Sequence, residues 1–158
     1  MISKIDEKNT VSKIQFLEEQ IIQIYQKMNQ AFTHGAPWTL EQFMADLNST
    51  ATNYLFLEVQ AKLVGFVSYR QIIDEIEIDE VLIFKEFQHL GFGYQLMQKF
   101  LQEAFEKQGQ TIFLEVRQSN LPAIALYEKC GFIKKAKRKN YYQHPVEDAW
   151  IYQYQRED

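Results

Sequence analysis

The stretch Phe87-Gln88-His89-Leu90-Gly91-Phe92-Gly93 stands between a strand-like segment and a strongly amphipathic helical segment. Glycines at 91 and 93 let the backbone turn tightly and leave no side chain where a ligand must approach. The first amides of the following helix lack intrahelical partners, and such helix ends bind anions, pyrophosphate especially. A plain turn before a helix fits the same two glycines, so both interpretations stay open on this motif alone. A dinucleotide fingerprint is excluded because a third glycine is missing, and a P-loop because no Gly-Lys-Ser/Thr follows.

Downstream of the turn, the apolar pattern predicts two helices and three strands. Leu96 opens a helical stripe with polar residues on the opposite face, and Gly109 is the expected C-cap. The residues Asn120-Leu121-Pro122 are typical of an N-cap with proline in the first turn, and they open a helix that ends at Gly131. The strands predicted here are Ile112–Val116, Phe132–Lys137 and Trp150–Tyr154.

Upstream of the turn, two helices precede three strands. Apolar residues, including Ile14, recur with helical spacing between Val11 and Gln30. Thr39, with Gln42 three residues on, predicts the N-cap of a second helix. Three strands rich in β-branched and aromatic residues follow, at Tyr54–Val59, Leu63–Tyr69 and Glu75–Phe84, and residues 60–62 turn the first pair into a hairpin. This order of elements predicts an α/β or α+β mixed sheet.

Length and composition narrow the class of protein. A chain of 158 residues predicts one domain spanning 1–158, and 46% apolar residues with twelve Phe and nine Tyr argue against disorder. The lone Cys130 excludes an internal disulfide framework, and three scattered His exclude a structural zinc site. The start, Met1–Lys8, lacks a signal-peptide core, no run is long enough to span a bilayer, and a net charge of −4 disfavours general polyanion binding. We therefore expect a cytoplasmic protein without metal, membrane association or general nucleic-acid binding.

The motif Gln88-x-x-Gly91-x-Gly93 resembles the coenzyme A signature of the GNAT acetyltransferases, Gln/Arg-x-x-Gly-x-Gly/Ala. Three further segments resemble the RimI group of this family, which acetylates the N-terminal α-amine of a ribosomal protein; they are Leu114–Asn120, Ala123–Phe132 and Arg138–Tyr142. The likeness spans about residues 11–155. It implies a GNAT-like single domain whose central, mostly antiparallel sheet carries splayed parallel strands, with helices on both faces.

The resemblance also implies acetyl-CoA as the acetyl donor and no metal. It assigns backbone bonding of the pantetheine arm to Val81, Leu82 and Ile83, although an ordinary core strand fits the same side chains. Asn120 would touch the coenzyme as well as cap its helix. The turn residues implied for the phosphates are Gln88, His89, Leu90, Gly91, Phe92, Gly93 and Tyr94. His89 and Tyr94 stand where the family usually has basic residues, so backbone amides carry more of the phosphate binding.

Acetylation of an amine needs a base to take its proton and an acid to protonate the departing thiolate. Glu115 shares a strand face with Arg117, so it is either a salt-bridge partner or the base, which is the role of the matching glutamate in RimI relatives. Tyr127 is either a core residue of its helix or the acid that its family position implies. Cys130 is interpreted as a packed small hydrophobe, not as an acetyl-accepting nucleophile.

The acceptor side carries an acidic strand. Glu75, Glu77 and Asp79 share one strand face, which is either simply solvated or attracts a cationic amine. At pH 7 an α-amine is roughly 14% neutral, whereas a lysine amine is about 0.04% neutral. An α-amine therefore demands much less of the base.

A basic run at 134–139 stands beside an expected hairpin turn. It is either a solvated hairpin or a grip for an acidic peptide segment or nearby RNA. Tyr141 and Tyr142 follow the run, and the resemblance implies that they line the peptide entrance.

Three functions are compatible with these residues. The leading one is a protein N-terminal acetyltransferase, acting on a ribosomal protein by direct attack on acetyl-CoA in a ternary complex. The second is a small-molecule acetyltransferase for a polyamine or an aminoglycoside. The third is a coenzyme A-binding module that regulates a partner without turnover.

Overall fold

The computed structural model describes residues 10–11 and 16–157. The described residues form a mixed α/β fold of seven strands and four α-helices, and none of these helices is long and apolar enough to cross a membrane. The elements are β1 (Thr10–Val11), α1 (Glu18–Ala31), α2 (Leu40–Asn48), β2 (Asn53–Val59), β3 (Lys62–Ile72), β4 (Glu75–Ile83), α3 (Phe92–Glu106), β5 (Thr111–Arg117), α4 (Leu121–Lys129), β6 (Ile133–Gln143) and β7 (Val146–Gln155), with a short 3₁₀ turn at Lys85–Phe87. The predicted fold class is confirmed.

The N-terminal helix is the least accurate of the predicted elements. Val11 lies in a strand that pairs antiparallel with β2, opposite Phe56, and α1 begins only at Glu18. The predicted start of the helix at Val11 is therefore wrong. Ile14 and the segment Met1–Lys8 lie outside the described residues.

The described residues fall into two compact units. The first comprises 10–11, 16–68 and 80–96, and the second comprises 69–79 and 97–157. In the first unit the strand order is β1-β2-β3-β4, and in the second it is β3-β4-β5-β7-β6, because β3 and β4 contribute residues to both. The single domain expected from chain length stays a prediction.

The core of the first unit is rich in aromatic rings from α2, β2 and β3. Phe66 is central to it, with ring centroids 5.5 Å from Phe56 and 6.3 Å from Phe43. The predicted cap of α2 is confirmed: the Thr39 hydroxyl accepts from the Gln42 amide at 3.2 Å, and the Gln42 side chain accepts from the Thr39 amide at 2.9 Å. These contacts satisfy free amides at the helix end and define where α2 begins.

Gly65 lets β3 approach β4 unusually closely within the first unit. A Cβ atom at this position would lie 2.2 Å from the carbonyl oxygen of Leu82 and 2.8 Å from Cδ1 of Ile83. Glycine in the interior of a strand commonly marks such an approach of another backbone. The signal for this close approach in the sequence is a glycine inside an apolar strand, at a position not predicted to have a special role.

We expect Gly65→Ala to destabilise the fold by about 1–3 kcal/mol, because the new methyl group forces the Leu82 backbone to move. Thermal or urea unfolding measures the change. Lys62→Ala, at the exposed start of the same strand, is the control and should unfold like the wild type. Unchanged stability of Gly65→Ala would contradict the close approach.

The second unit is built around β5, whose side chains alternate as predicted. Ile112, Leu114 and Val116 are buried, and the residues between them are partly exposed. The parallel pairing with β4 runs from Glu75 opposite Thr111 to Ile78 opposite Leu114, whereas the pairing of β5 with β7 continues to Arg117. Within this unit, the end of β5 that carries Glu115 is therefore paired with β7 and not with β4.

Two boundaries of α3 differ from the prediction. The helix begins at Phe92, because the left-handed Gly91 ends the turn and its carbonyl accepts from the Gln95 amide at 3.3 Å. At the other end the left-handed residue is Gln108, with φ 63°, so Gly109 is not the C-cap. Gly109 is needed for space instead, since its Cβ would lie 2.6 Å from Cδ1 of Ile76.

The basic run lies within a strand and not beside a turn. β6 continues to Gln143, and the chain reverses only at His144–Pro145. β6 is the last strand in the order of the second unit and is almost wholly exposed. Charged side chains on such an edge strand discourage pairing with other chains, which is a sufficient structural reason for the lysines.

Candidate active site

The glycine turn of the first unit has the backbone shape that anion binding requires. His89 and Gly91 have positive φ values of 61° and 83°, and α3 starts directly after them. A Cβ at Gly91 would meet nothing within 4 Å, so glycine serves the left-handed conformation and leaves the space beside the turn open. Alternating left-handed residues before a helix direct backbone amides to one side, where a phosphate group can accept from them.

Gln88 anchors this turn to the end of β4. Its side-chain amide donates to the carbonyl oxygen of Ile83 at 3.0 Å. Leu82 is buried, and its carbonyl faces Gly65 as described above. Gln88 is among the turn residues expected to bind the phosphates, whereas in the structure its side chain holds the turn to β4.

Glu115 forms an ion pair, but not with the partner considered first. Its Oε1 atom lies 2.8 Å from Nη1 of Arg138 on β6, and its side chain is only 19% exposed. Arg117, the neighbour along the strand face, instead pairs with Glu147 at 3.2 Å. Glu115 is therefore paired with a residue of β6, across β7, and not with the neighbour on its own strand.

Tyr141 is the second residue on the Glu115 carboxylate. The hydrogen bond with Glu115 is the main cause that raises the pKa of the Tyr141 phenol, followed by burial. The guanidinium carbon of Arg138 lies 5.4 Å from the centroid of the Tyr141 ring. Glu115, Arg138 and Tyr141 therefore form one cluster, which we call the Glu115 cluster.

An irregularity in β6 builds this cluster. Residues 138 and 141 would face opposite sides of a regular strand. The register with β7 shifts between Arg138 and Tyr142, and Asn140 has a φ of 53° and donates its amide to Oδ1 of Asp148 at 2.7 Å. Such bulges redirect side chains, and this one turns both Arg138 and Tyr141 toward the same carboxylate.

Tyr142 belongs to a neighbouring cluster around Arg117. The Arg117 guanidinium lies 4.2 Å from the Tyr142 ring centroid and donates to the carbonyl oxygen of Pro145 at 3.1 Å. Glu147 completes the cluster and also accepts from the Ser119 amide at 2.7 Å. The Arg117 cluster thus fixes the end of the β6–β7 hairpin to the end of β5.

Tyr127 lies on α4, a helix that begins as predicted and ends at Lys129, two residues before the predicted end at Gly131. The Asn120 side chain accepts from the Ala123 amide at 3.3 Å, and Gly131 after the helix has a φ of 97°. Tyr127 is 6% exposed, and its ring centroid lies 6.0 Å from that of Phe132. Burial places this phenol in the core of the second unit, which by itself does not distinguish a core residue from an acid.

A partly buried hydrogen bond joins α4 to β7. The hydroxyl of Tyr152, which has no exposed surface, donates to Oε1 of Glu128 at 2.8 Å. Burial and this carboxylate raise the pKa of Tyr152 to about 12. Cys130 is also buried, and burial raises the pKa of its thiol, which disfavours the thiolate that a nucleophile would need.

The acidic strand has the alternation expected of it. Ile76 and Ile78 are buried, while Glu75, Glu77 and Asp79 are exposed. Arg70 on β3 binds Asp79 at 2.6 Å and Glu77 at 3.2 Å. Two of the three acids are therefore paired with a cation, which favours the interpretation of a solvated face. Among residues 10–11 and 16–157, no three His, Cys, Asp or Glu side chains form a group suited to a metal ion.

Within each unit, the structure brings together several of the residues singled out from the sequence. Glu115 and Tyr141 are in contact, and Tyr127 and Asn120 share α4. Tyr142 is attached to Arg117 and not to Glu115. Arg138 was noted in the basic run and in a segment that resembles the RimI group, but not as a partner of Glu115, because that contact arises from strand pairing.

Comparisons with known proteins show what this chain is similar to. The model of the Acetyltransferase (GNAT) family matches residues 18–132. The chain is 37% identical over 114 residues to the [ribosomal protein bS18]-alanine N-acetyltransferase of Haemophilus influenzae, which covers 71% of this chain and 75% of that protein. The match to the family takes in both the glycine turn and Glu115.

Solved structures show the same fold. The ribosomal-protein-S18-alanine N-acetyltransferase from Escherichia coli superposes with a TM-score of 0.78 at 27% identity, covering 91% of this chain and 90% of that one. A GNAT family acetyltransferase from Elizabethkingia anophelis, solved with acetyl-CoA bound, has a TM-score of 0.65 at 19% identity, covering 74% of this chain and 83% of that one.

Proposed function

This chain belongs to the GNAT family of acetyltransferases, and from that premise we propose that it acetylates the N-terminal α-amine of a ribosomal protein in the cytoplasm, with acetyl-CoA as the donor. The observation that carries the proposal is the match to a bS18-alanine N-acetyltransferase over more than two thirds of both chains. The proposed enzyme is one acetyltransferase domain, since the family match draws on both compact units.

The residues of the glycine turn fit the phosphates of acetyl-CoA. Because His89 and Gly91 are left-handed, backbone amides at the start of α3 face open space. The turn itself, residues 88–94, contains no lysine or arginine. We assign the phosphates to these amides and the pantetheine arm to the backbone of Val81, Leu82 and Ile83. Asn120 is assigned a coenzyme contact in addition to its capping bond.

Acetyl-CoA supplies a thioester whose acetyl carbon the acceptor amine can attack. Glu115 accepts a proton from the amine, and the phenol of Tyr127 donates a proton to the thiolate sulfur. A C–N bond forms, the C–S bond breaks, and no acetyl group is carried by the protein. Burial of Cys130 supports direct transfer, because its thiol is not placed for nucleophilic attack.

A panel of acceptors tests the proposal by measuring release of free thiol. We expect turnover with short peptides that begin with alanine, and at least tenfold less with N-terminally blocked lysine peptides, because at pH 7 far less of a lysine amine is neutral. Turnover of polyamines without turnover of any free-N-terminus peptide would contradict a protein substrate. Binding of coenzyme A without thiol release from any amine would indicate a non-catalytic module.

The cellular substrate can be identified by measuring the intact masses of the ribosomal proteins from cells with and without this protein. We expect one ribosomal protein to be lighter by one acetyl group in the cells that lack it. No difference in any ribosomal protein would contradict the assignment of a ribosomal substrate.

A further inference from the structure

Arg138 is a charged residue that the proposed mechanism does not use, yet it contacts the proposed base directly. Its guanidinium is 2.8 Å from the Glu115 carboxylate, and its own side chain is 55% exposed. It reaches β5 across β7, where the residues in register are Ala149 and Ile151. These two β7 residues are uncharged, so they do not compete for the carboxylate.

The fold directs the guanidinium of Arg138 to one specific partner, although the side chain lies on an exposed edge strand. The bulge in β6 turns Arg138 and Tyr141 to the same carboxylate, as described above. Lys137, the neighbouring cation, faces the other side of β6, where it pairs with Asp148 at 2.9 Å and lies near Trp150. Two adjacent cations on one strand therefore have different partners.

A carboxylate without a counterion would counteract its own function as a base. An unpaired, mostly buried carboxylate attracts the ammonium form of an amine and stabilises the proton on the nitrogen. Only the neutral amine can attack a thioester. A fixed guanidinium beside the carboxylate opposes binding of a second cation, so it disfavours the unproductive ammonium complex.

We propose that Arg138 is a positioning residue that holds the Glu115 carboxylate and offsets its charge, so that the site favours the neutral acceptor amine over the ammonium form. The inference rests on the proposed function of Glu115 as the base. If Arg138 has this role, the pKa of the bound acceptor amine is lower than it would be beside Glu115 alone.

Other charged groups around this cluster are already matched with partners. Those that lie on the same sheet face or on the elements beside it are Glu77 and Asp79 of β4, which pair with Arg70 of β3, and Arg117 of β5, which pairs with Glu147 of β7. Arg138 is therefore the residue whose removal changes the charge at Glu115 most directly.

The test measures kcat and kcat/KM against pH for an alanine-initiated peptide. In Arg138→Gln we expect the midpoint of the kcat profile to rise by about 0.5–1 pH unit, with kcat at pH 7 falling about 3- to 10-fold and recovering near pH 9. The midpoint of kcat/KM against pH should move less, because it reports the free peptide.

Two further variants serve as controls. The midpoint of the kcat profile of Arg138→Lys should lie closer to that of the wild type than the midpoint of Arg138→Gln does. Lys137→Gln is the matched control and should keep the wild-type profile.

An equal loss of kcat at every pH in Arg138→Gln would show a purely structural role and overturn the inference. An unchanged kcat midpoint, or the same shift in Lys137→Gln, would overturn it as well. These results leave wild-type turnover intact, so the proposed function would survive them. A wild-type protein that releases no thiol from any peptide overturns the proposed function first, and the inference with it.

Discussion

Glu115→Gln is expected to lower kcat/KM for an alanine-initiated peptide by about 100- to 1,000-fold, the range of a lost general base. The amide is the same size as the carboxylate and still accepts a hydrogen bond from Tyr141, but it cannot take a proton from the amine. The carboxylate is bound on one side by Arg138 at 2.8 Å, so little rearrangement of the surrounding side chains is expected. Thiol release at saturating acetyl-CoA measures the change.

Glu58→Gln is the matched control and should keep wild-type activity, because it makes the same substitution at a partly exposed position of β2 in the first unit. Thermal unfolding of both variants separates a chemical effect from a loss of fold. Wild-type turnover in Glu115→Gln would mean that another group, or solvent alone, accepts the proton.

Tyr127→Phe is expected to lower kcat about 100-fold while the KM of either substrate changes little. The reason is that a donor to the thiolate acts in the transition state and not in the ground state. Phenylalanine fills the same buried volume against Phe132, so α4 should keep its place on the sheet. Steady-state kinetics with both substrates varied separates kcat from KM.

The control for this variant is Tyr25→Phe, which also removes a partly buried phenol. The Tyr25 hydroxyl donates to the carbonyl oxygen of Trp38 at 2.8 Å in the first unit, so its loss should affect stability and not kcat. Equal kcat values for Tyr127→Phe and the wild type would assign Tyr127 to the core alone and leave the thiolate to be protonated by solvent.

Caps and turns were readable from sequence because they depend on residues three or four positions apart. Thr39 with Gln42, Asn120 with Ala123, and the glycine turn before α3 form as their spacing predicts. The resemblance to GNAT enzymes is also confirmed. It could be recognised in the sequence because its motifs are continuous stretches of chain.

Predictions that depended on neighbours elsewhere in the fold were less accurate. Gly109 has the sequence position of a C-cap, but in the structure its missing side chain leaves room for Ile76 of β4. Glu115 and Arg117 looked like a pair because they share a strand face, but each binds a partner more than 20 residues away. Local spacing shows which residues of one strand face the same side. It does not show whether a residue of another strand lies closer to a given side chain than they do.

The family, most helices and strands, and the glycine turn before α3 could be predicted from short stretches of the chain. The contacts of Arg138 and Tyr141 with Glu115, and the exposed edge strand that contains the basic run, became evident from the folded chain alone. The physical reason is that turns and caps are made by short-range hydrogen bonds, whereas the Glu115 cluster depends on the register of β5, β7 and β6 and on one bulge in the last of them. A one-residue shift in that register would turn Arg138 to the opposite face, with no change in the sequence pattern.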